Sequence, residues 1–198
     1  MTELPLRCAC GKLKGSVSLS ADSGVHVVCY CKDCQAFARF LGRGDITDQW
    51  GGTDIFQMAP SAVRISEGAD AIRCVRLSAK GMHRWYCGEC KTPIGNTLGP
   101  KLPFVGLISS IVDYASAGAT PDSVLGKPVA YGFPEAALGG PPPHTKHNPK
   151  LKFLGKVSAK LAKWWLTNAG WPSPFFDETT RAPRAVVQVL SPEERARL

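Results

Sequence analysis

The chain has 198 residues, 44% of them hydrophobic, with a formal net charge of +8 and eight cysteines. That is enough apolar content for a core in one domain with an extension, or in two small domains, and no uninterrupted apolar run is long enough to span a bilayer. The start, Met1-Thr-Glu-Leu-Pro-Leu-Arg-Cys8, has no charged leader before an apolar stretch, so a cytoplasmic location is expected, where eight cysteines stay reduced and read as metal ligands rather than disulfides.

In chain order, Cys8-Ala-Cys10-Gly11 comes first, followed by Leu13, Val17 and Leu19 among polar neighbours, which predicts strands broken at Gly15. Cys8 and Cys10 share a face, but a C-x-C pair alone cannot complete a tetrahedral site. A second strand, Val25-His-Val-Val-Cys29, runs into Cys29-Tyr30-Cys31-Lys32-Asp33-Cys34, where a strand and a tight turn bring three thiols to one point. Zinc is the natural occupant of such a point, and three thiolates leave its fourth position undecided. Tyr30, between two ligands, points to the opposite face and is expected in the core.

Gln35 to Leu41 has helical character and ends at Gly42-Arg-Gly44; a helix starting at the thiols aims its amide end at their negative charge. Short strands follow at Asp54 to Met58, Ala62 to Ile65, Ile72 to Leu77 and Met82 to Tyr86, separated by turn residues, which predicts a mostly antiparallel β domain. Cys87-Gly-Glu-Cys90 has zinc-knuckle spacing and, with Cys8 and Cys10, makes a closed four-cysteine structural site. Lys91 stands where a knuckle favours glycine, at a cost of about 1 kcal/mol. Phe104 to Val112 has the composition of a buried strand.

From about Ala115 the chain turns Gly-, Pro- and Ala-rich, which sets a compact domain over 1–117 and an extension over 118–198. Within the extension Lys150 to Thr167 is amphipathic, with Leu151, Leu154, Val157, Leu161 and Trp165 in one stripe and Lys152, Lys156, Lys160 and Lys163 in another. Residues 141–198 hold 10 Lys and Arg against 4 Asp and Glu, whereas 1–140 hold 14 against 12. The helix is expected to dock through Leu154, Leu161 and Trp165, with its lysines in water; the Trp164-Trp165 pair also has the make-up of a membrane-surface helix, a lesser expectation.

Taken together, Cys8-Ala-Cys10-Gly11, Cys29-Tyr-Cys31-Lys-Asp-Cys34 and Arg84-Trp-Tyr-Cys87-Gly-Glu-Cys90-Lys-Thr92-Pro93 resemble the glutathione-dependent formaldehyde-activating (Gfa) and centromere-protein-V domain family over roughly Arg7 to Asp113. The resemblance implies a β-tent of small antiparallel sheets, a structural zinc on Cys8, Cys10, Cys87 and Cys90, and a catalytic zinc on Cys29, Cys31 and Cys34 that takes a glutathione thiol. Tyr30, Gln35 and Lys91 stand where that family usually carries His, Arg and Gly, and the missing arginine removes one partner for a carboxylate.

The expected function is a carbon–sulfur lyase acting on adducts of a small thiol, glutathione or similar, with formaldehyde or another aldehyde. A thiolate joining three others around a divalent ion needs a nearby cation, for which Lys32, Arg39 and Arg43 are candidates. Cys74, His26 and His83 are alternative fourth ligands, though Cys74 reads first as a small buried hydrophobe and each histidine as an ordinary strand residue. Asp33 and Glu89, inside knuckle turns, read as solvated. The rival reading is a zinc-stabilised binding module whose basic tail meets nucleic acid or an acidic partner, but residues 1–117 show no aromatic-basic stripe. A reductase built on Cys74 lacks a resolving cysteine once seven are assigned to metal.

Overall fold

The computed structural model describes residues 1–146 and 150–198 and is mainly β. A three-stranded antiparallel sheet is formed by β1 (Thr2–Arg7), β2 (Lys14–Leu19) and β5 (Val63–Glu67) in the order β1-β2-β5. A second sheet has eight strands: β3 (Val25–Cys29), β4 (Thr53–Met58), β6 (Ile72–Arg76), β7 (His83–Cys87), β8 (Pro93–Thr97), β9 (Val105–Ile108), β10 (Ala130–Gly132) and β11 (Val187–Val189). Its order is β10-β3-β4-β9-β8-β7-β6-β11, antiparallel throughout except that the two edge strands run parallel to their neighbours. The described residues also form four α-helices, α1 (Lys32–Leu41), α2 (Pro121–Leu125), α3 (Lys150–Leu166) and α4 (Pro192–Ala196), and several short 3-10 turns.

The period-2 alternation of the strands sorts residues onto the two faces of the large sheet. Phe56 and Met58 of β4, Cys74 of β6 and Trp85 of β7 face the small sheet, where they join Leu4, Leu6, Val17 and Leu19 in the main core. Val75 and Tyr86 face the other way and bury Phe37 and Leu41 of α1, while Val25, Val27 and Ile55 meet Phe153 and Val157 of α3. The large sheet is thus covered on one side by the small sheet and on the other by α1 and α3.

The segment after residue 117 is woven into this arrangement. It supplies both edge strands of the eight-stranded sheet, and Phe175 and Phe176 enter the main core against Trp85. Both edges thus end in three-residue strands, too short to offer another chain a long ladder. The antiparallel strands form one small and one large sheet, and short parallel strands from the extension lengthen the latter.

The expected docking face of the C-terminal helix is corrected. Phe153, Val157, Lys160 and Leu161 are half-buried and Trp164 is buried, whereas Leu151, Leu154, Trp165 and Leu166 are exposed. The docked positions recur at i, i+4, i+7, i+8 and i+11, a helical face about one residue round from the expected one. Lys160 is not free in water, because its ammonium donates to the Asp22 carbonyl. No helix among the described residues is long and apolar enough to cross a membrane.

Candidate metal centre

Cys8 and Cys10 lie in the β1–β2 turn, and Cys87 ends β7 in a knuckle closed by Lys91 N–H to Cys87 O at 2.9 Å and Cys87 N–H to Thr92 O at 2.8 Å. Lys91 adopts the left-handed conformation (φ 59), as the knuckle demands of the residue after Cys90. The four sulfurs lie within 4.8 Å of one another, with Cys8 and Cys10 at 3.4 Å and Cys10 and Cys87 at 3.9 Å. A metal bound by sulfur at about 2.3 Å sets tetrahedral sulfurs about 3.8 Å apart, so this group fits a closed thiolate shell.

Thr92, 2% exposed, ties the shell together: its hydroxyl accepts from Ala9 N–H at 3.0 Å and from Arg43 Nη1 at 3.2 Å and lies 3.2 Å from Cys90 Sγ. Burial works to raise Cys90, yet hydrogen bonds from the Thr92 hydroxyl and from backbone amides bring it down to about 6, whereas burial pushes Cys87 up to about 12. Leu13 N–H donates to Cys8 Sγ at 3.2 Å. Such outer contacts orient the ligands of a metal site.

The second group, Cys29, Cys31 and Cys34, straddles the junction of β3 and α1. Cys31 is the N-cap of α1, its Sγ accepting from Cys34 N–H at 3.3 Å, so the first turn of the helix points at the sulfurs. Cys31 is held far below the ordinary thiol value by hydrogen bonds from the Cys29 and Cys34 thiols; Cys29 is raised chiefly by its bond to Cys31, and Cys34 by its bonds to Cys29 and then Cys31 together with burial. Gly132 of β10 pairs with Cys29, and a Cβ there would come 3.3 Å from Cys29 Sγ, tighter than ordinary contact.

Among the described residues this group has three members and no fourth Cys, His, Asp or Glu donor. Cys74 is 1% exposed in the main core. His26 bonds Gly126 O and Asp54, and His83 stacks on Trp85. Tyr30 is fully buried, as its position between two ligands predicts, with its hydroxyl donating to Asp48 at 3.0 Å. Gln35 is also turned away, donating to the Tyr30 and Ala136 carbonyls at 2.8 Å.

The three sulfurs open onto a cavity of about 650 Å³. Its floor is a row in register across four strands: Gln57 of β4, Gly106 of β9, Asn96 of β8 and Arg84 of β7. Two of the three expected cations are elsewhere: Arg39 donates to the Leu198 carbonyl, and Arg43 is held by Asp45 and the Thr92 hub of the other site. Lys32 lines the cavity, and so does Arg84, which sequence reasoning missed. Arg84 is 3% exposed, packs over Phe37 at 5.3 Å, and its positive charge is a further cause of the lowered Cys31 value. Asp33 is not simply solvated, since Arg195 donates to it at 2.8 Å; Glu89 is exposed and lies 3.7 Å from Lys12.

Residues 1–186 match a family described as "Family of unknown function (DUF6151)". No curated protein matches the chain. A crystal structure of a Rhodobacter sphaeroides protein aligns with a TM-score of 0.42 and 18% identity, covering 64% of this chain and 97% of that one.

Proposed function

This chain belongs to the DUF6151 family, whose function is unknown, and from the difference between its two cysteine groups we propose that it is a zinc-dependent carbon–sulfur lyase. Its substrates are adducts of a small thiol with formaldehyde or another aldehyde. The observation that carries the reading is that Cys8, Cys10, Cys87 and Cys90 make a complete shell, while Cys29, Cys31 and Cys34 make three-quarters of one at the mouth of a cavity. The order of the cysteine motifs supports a β-tent like that of the formaldehyde-activating family, and eight free thiols fit a reducing compartment, the cytoplasm.

Zinc at the three-cysteine site supplies Lewis acidity that keeps a ligand thiol deprotonated at neutral pH. The chain's own residues do the rest. Three thiolates and a divalent ion sum to −1, and a fourth thiolate makes −2, which the Arg84 guanidinium and the α1 N-terminus offset. In the synthetic direction a carbon–sulfur bond forms as the thiolate sulfur adds to the aldehyde carbon, and the former carbonyl oxygen takes a proton. In the lyase direction that hydroxyl loses its proton and the carbon–sulfur pair returns to sulfur. Arg84, with Asn96 Oδ1 at 3.4 Å and Asp33 at 3.8 Å, has N–H groups to spare for the developing oxyanion.

X-ray absorption on the zinc-loaded protein, with and without glutathione or a panel of small thiols, tests this. One of two zincs should gain an exogenous sulfur, and Cys31→Ser should abolish the change. Four protein sulfurs on both zincs, unaltered by every thiol, would leave a purely structural metalloprotein. The second reading, a non-enzymatic module, rests on the exposed lysines Lys152, Lys156 and Lys163 of α3, and salt-sensitive nucleic-acid binding lost in Lys156→Glu would favour it.

A further inference from the structure

We propose that the ligand of the three-cysteine site is an alkyl or aryl thiol, and its hydroxyalkyl adduct, rather than a peptide thiol such as glutathione; this rests on the thiol-binding reading above. Away from the sulfurs, the polar row on the floor, and Lys32 and Asp33 beside the sulfurs, the walls are apolar. Val27 and Ile55 stand beside the floor, Phe104 and Leu98 form one side, and Phe133 and Phe153 of the extension form the other.

Two of these side chains are unusually exposed for their type, Leu98 at 50% and Phe133 at 60%. Phe133 also adopts the left-handed conformation (φ 54), a strained backbone of the kind that clusters at ligand clamps. An apolar ligand body would cover both side chains of this rim. Gly106 opens the floor between Gln57 and Asn96, since a Cβ there would meet Ile55 at 3.0 Å.

The polar groups on the cavity are Gln57, Asn96 and Arg84 on the floor and Lys32 and Asp33 at the mouth. Gln57 Oε1 is buried without a hydrogen-bond partner, so it offers an acceptor to a ligand hydroxyl. Arg84 offers donors to the same kind of group, and Asp33 is already engaged by Arg195. One hydroxyl beside the sulfur matches this set. Lys32 offers a partner to one carboxylate of glutathione, but the second carboxylate, the ammonium and two amides would meet apolar walls, and each buried group left unpaired weakens binding.

The test is titration of the cobalt-substituted protein with 1-propanethiol, 1-pentanethiol, 1-hexanethiol, benzyl mercaptan and glutathione, read by the sulfur-to-cobalt charge-transfer band, with 1-hexanol followed by thermal shift. Affinity should rise about threefold to fourfold per methylene, and hexanethiol should bind at least tenfold more tightly than glutathione. Phe133→Ala, at the rim, should flatten that dependence, as should Phe153→Ala if it folds. Equal binding of all chain lengths, or glutathione binding as tightly as hexanethiol, overturns the inference while leaving a thiol site intact. A chain-length dependence seen with 1-hexanol and shorter alcohols, with no thiol altering the cobalt band, supports the apolar ligand class and removes the lyase reading instead.

Discussion

His26 is 2% exposed, yet both ring nitrogens meet acceptors, Nδ1 the Gly126 carbonyl at 2.6 Å and Nε2 the Asp54 carboxylate at 2.7 Å. Only the imidazolium can donate to both. Burial works to lower its pKa, but the Asp54 bond and charge and the Gly126 carbonyl outweigh it, and the net shift is upward. A group raised above its unfolded value of about 6.5 contributes stability that is fully present below that pH and is lost as pH rises through the folded value. Urea unfolding of the metal-loaded protein between pH 6.5 and 8.5 should therefore show a decline that His26→Gln flattens; an identical pH slope in the variant would contradict this. Arg84 marks where residue-level reading stopped. Lys32, Arg39 and Arg43 were candidates because they neighbour the motif in sequence, but a strand brings residues from far along the chain to a site, and the row Gln57, Gly106, Asn96 and Arg84 exists only once four strands are in register. One signal was available: an arginine within His83-Arg84-Trp85-Tyr86-Cys87, where every neighbour has strand character, is an arginine bound for a buried face.

At the scale of elements, α3 carries apolar residues on two faces, and spacing alone offers both. Leu151, Leu154 and Trp165 recur at helical intervals as convincingly as Phe153, Val157 and Trp164, and only the cavity and the edge of the large sheet decide which set is covered. Trp164→Ala should cost about 3 kcal/mol in urea unfolding, whereas Trp165→Ala should stay within about 0.5 kcal/mol. Lys160→Glu should destabilise by about 1 kcal/mol through its lost bond to the Asp22 carbonyl, and Lys156→Glu should be neutral. The reverse ranking in either pair would mean that the helix docks by the other face. The strands flanking the cysteines were legible because they are long and β-rich: Val25–Cys29 lies where its composition put it, and α1 ends at Gly42 as expected. The edge strands, Ala-Tyr-Gly and Val-Gln-Val, are too short to show a period, and Pro93–Thr97, buried on both faces and containing proline and glycine, has no alternation to read.

At the scale of the molecule, the two cysteine groups differ in what they join. Cys29, Cys31 and Cys34 lie within one continuous strand–helix junction, already held by the β3–β4 ladder and by the burial of Phe37 and Leu41. Cys8 and Cys10 sit in a turn of the small sheet, while Cys87 ends β7 of the large one and Cys90 follows it, so a metal there pins the two sheets across the core they enclose. A structural zinc contributes on the order of 10 kcal/mol to folding, comparable with the whole net stability of an ordinary domain. Cys87 is fully buried, so Cys87→Ser removes a ligand and leaves a hydroxyl where no water reaches. That variant should be insoluble, or compact with its near-ultraviolet circular dichroism lost. Cys31→Ser should instead remain folded with one metal equivalent in place of two, because only the cavity site loses its shell. Metal content and circular dichroism on the two variants decide the matter. A well-folded, metal-poor Cys87→Ser protein would mean that the sheets hold each other by packing alone, and an unfolded Cys31→Ser protein would mean that the cavity site serves the fold as well as the ligand.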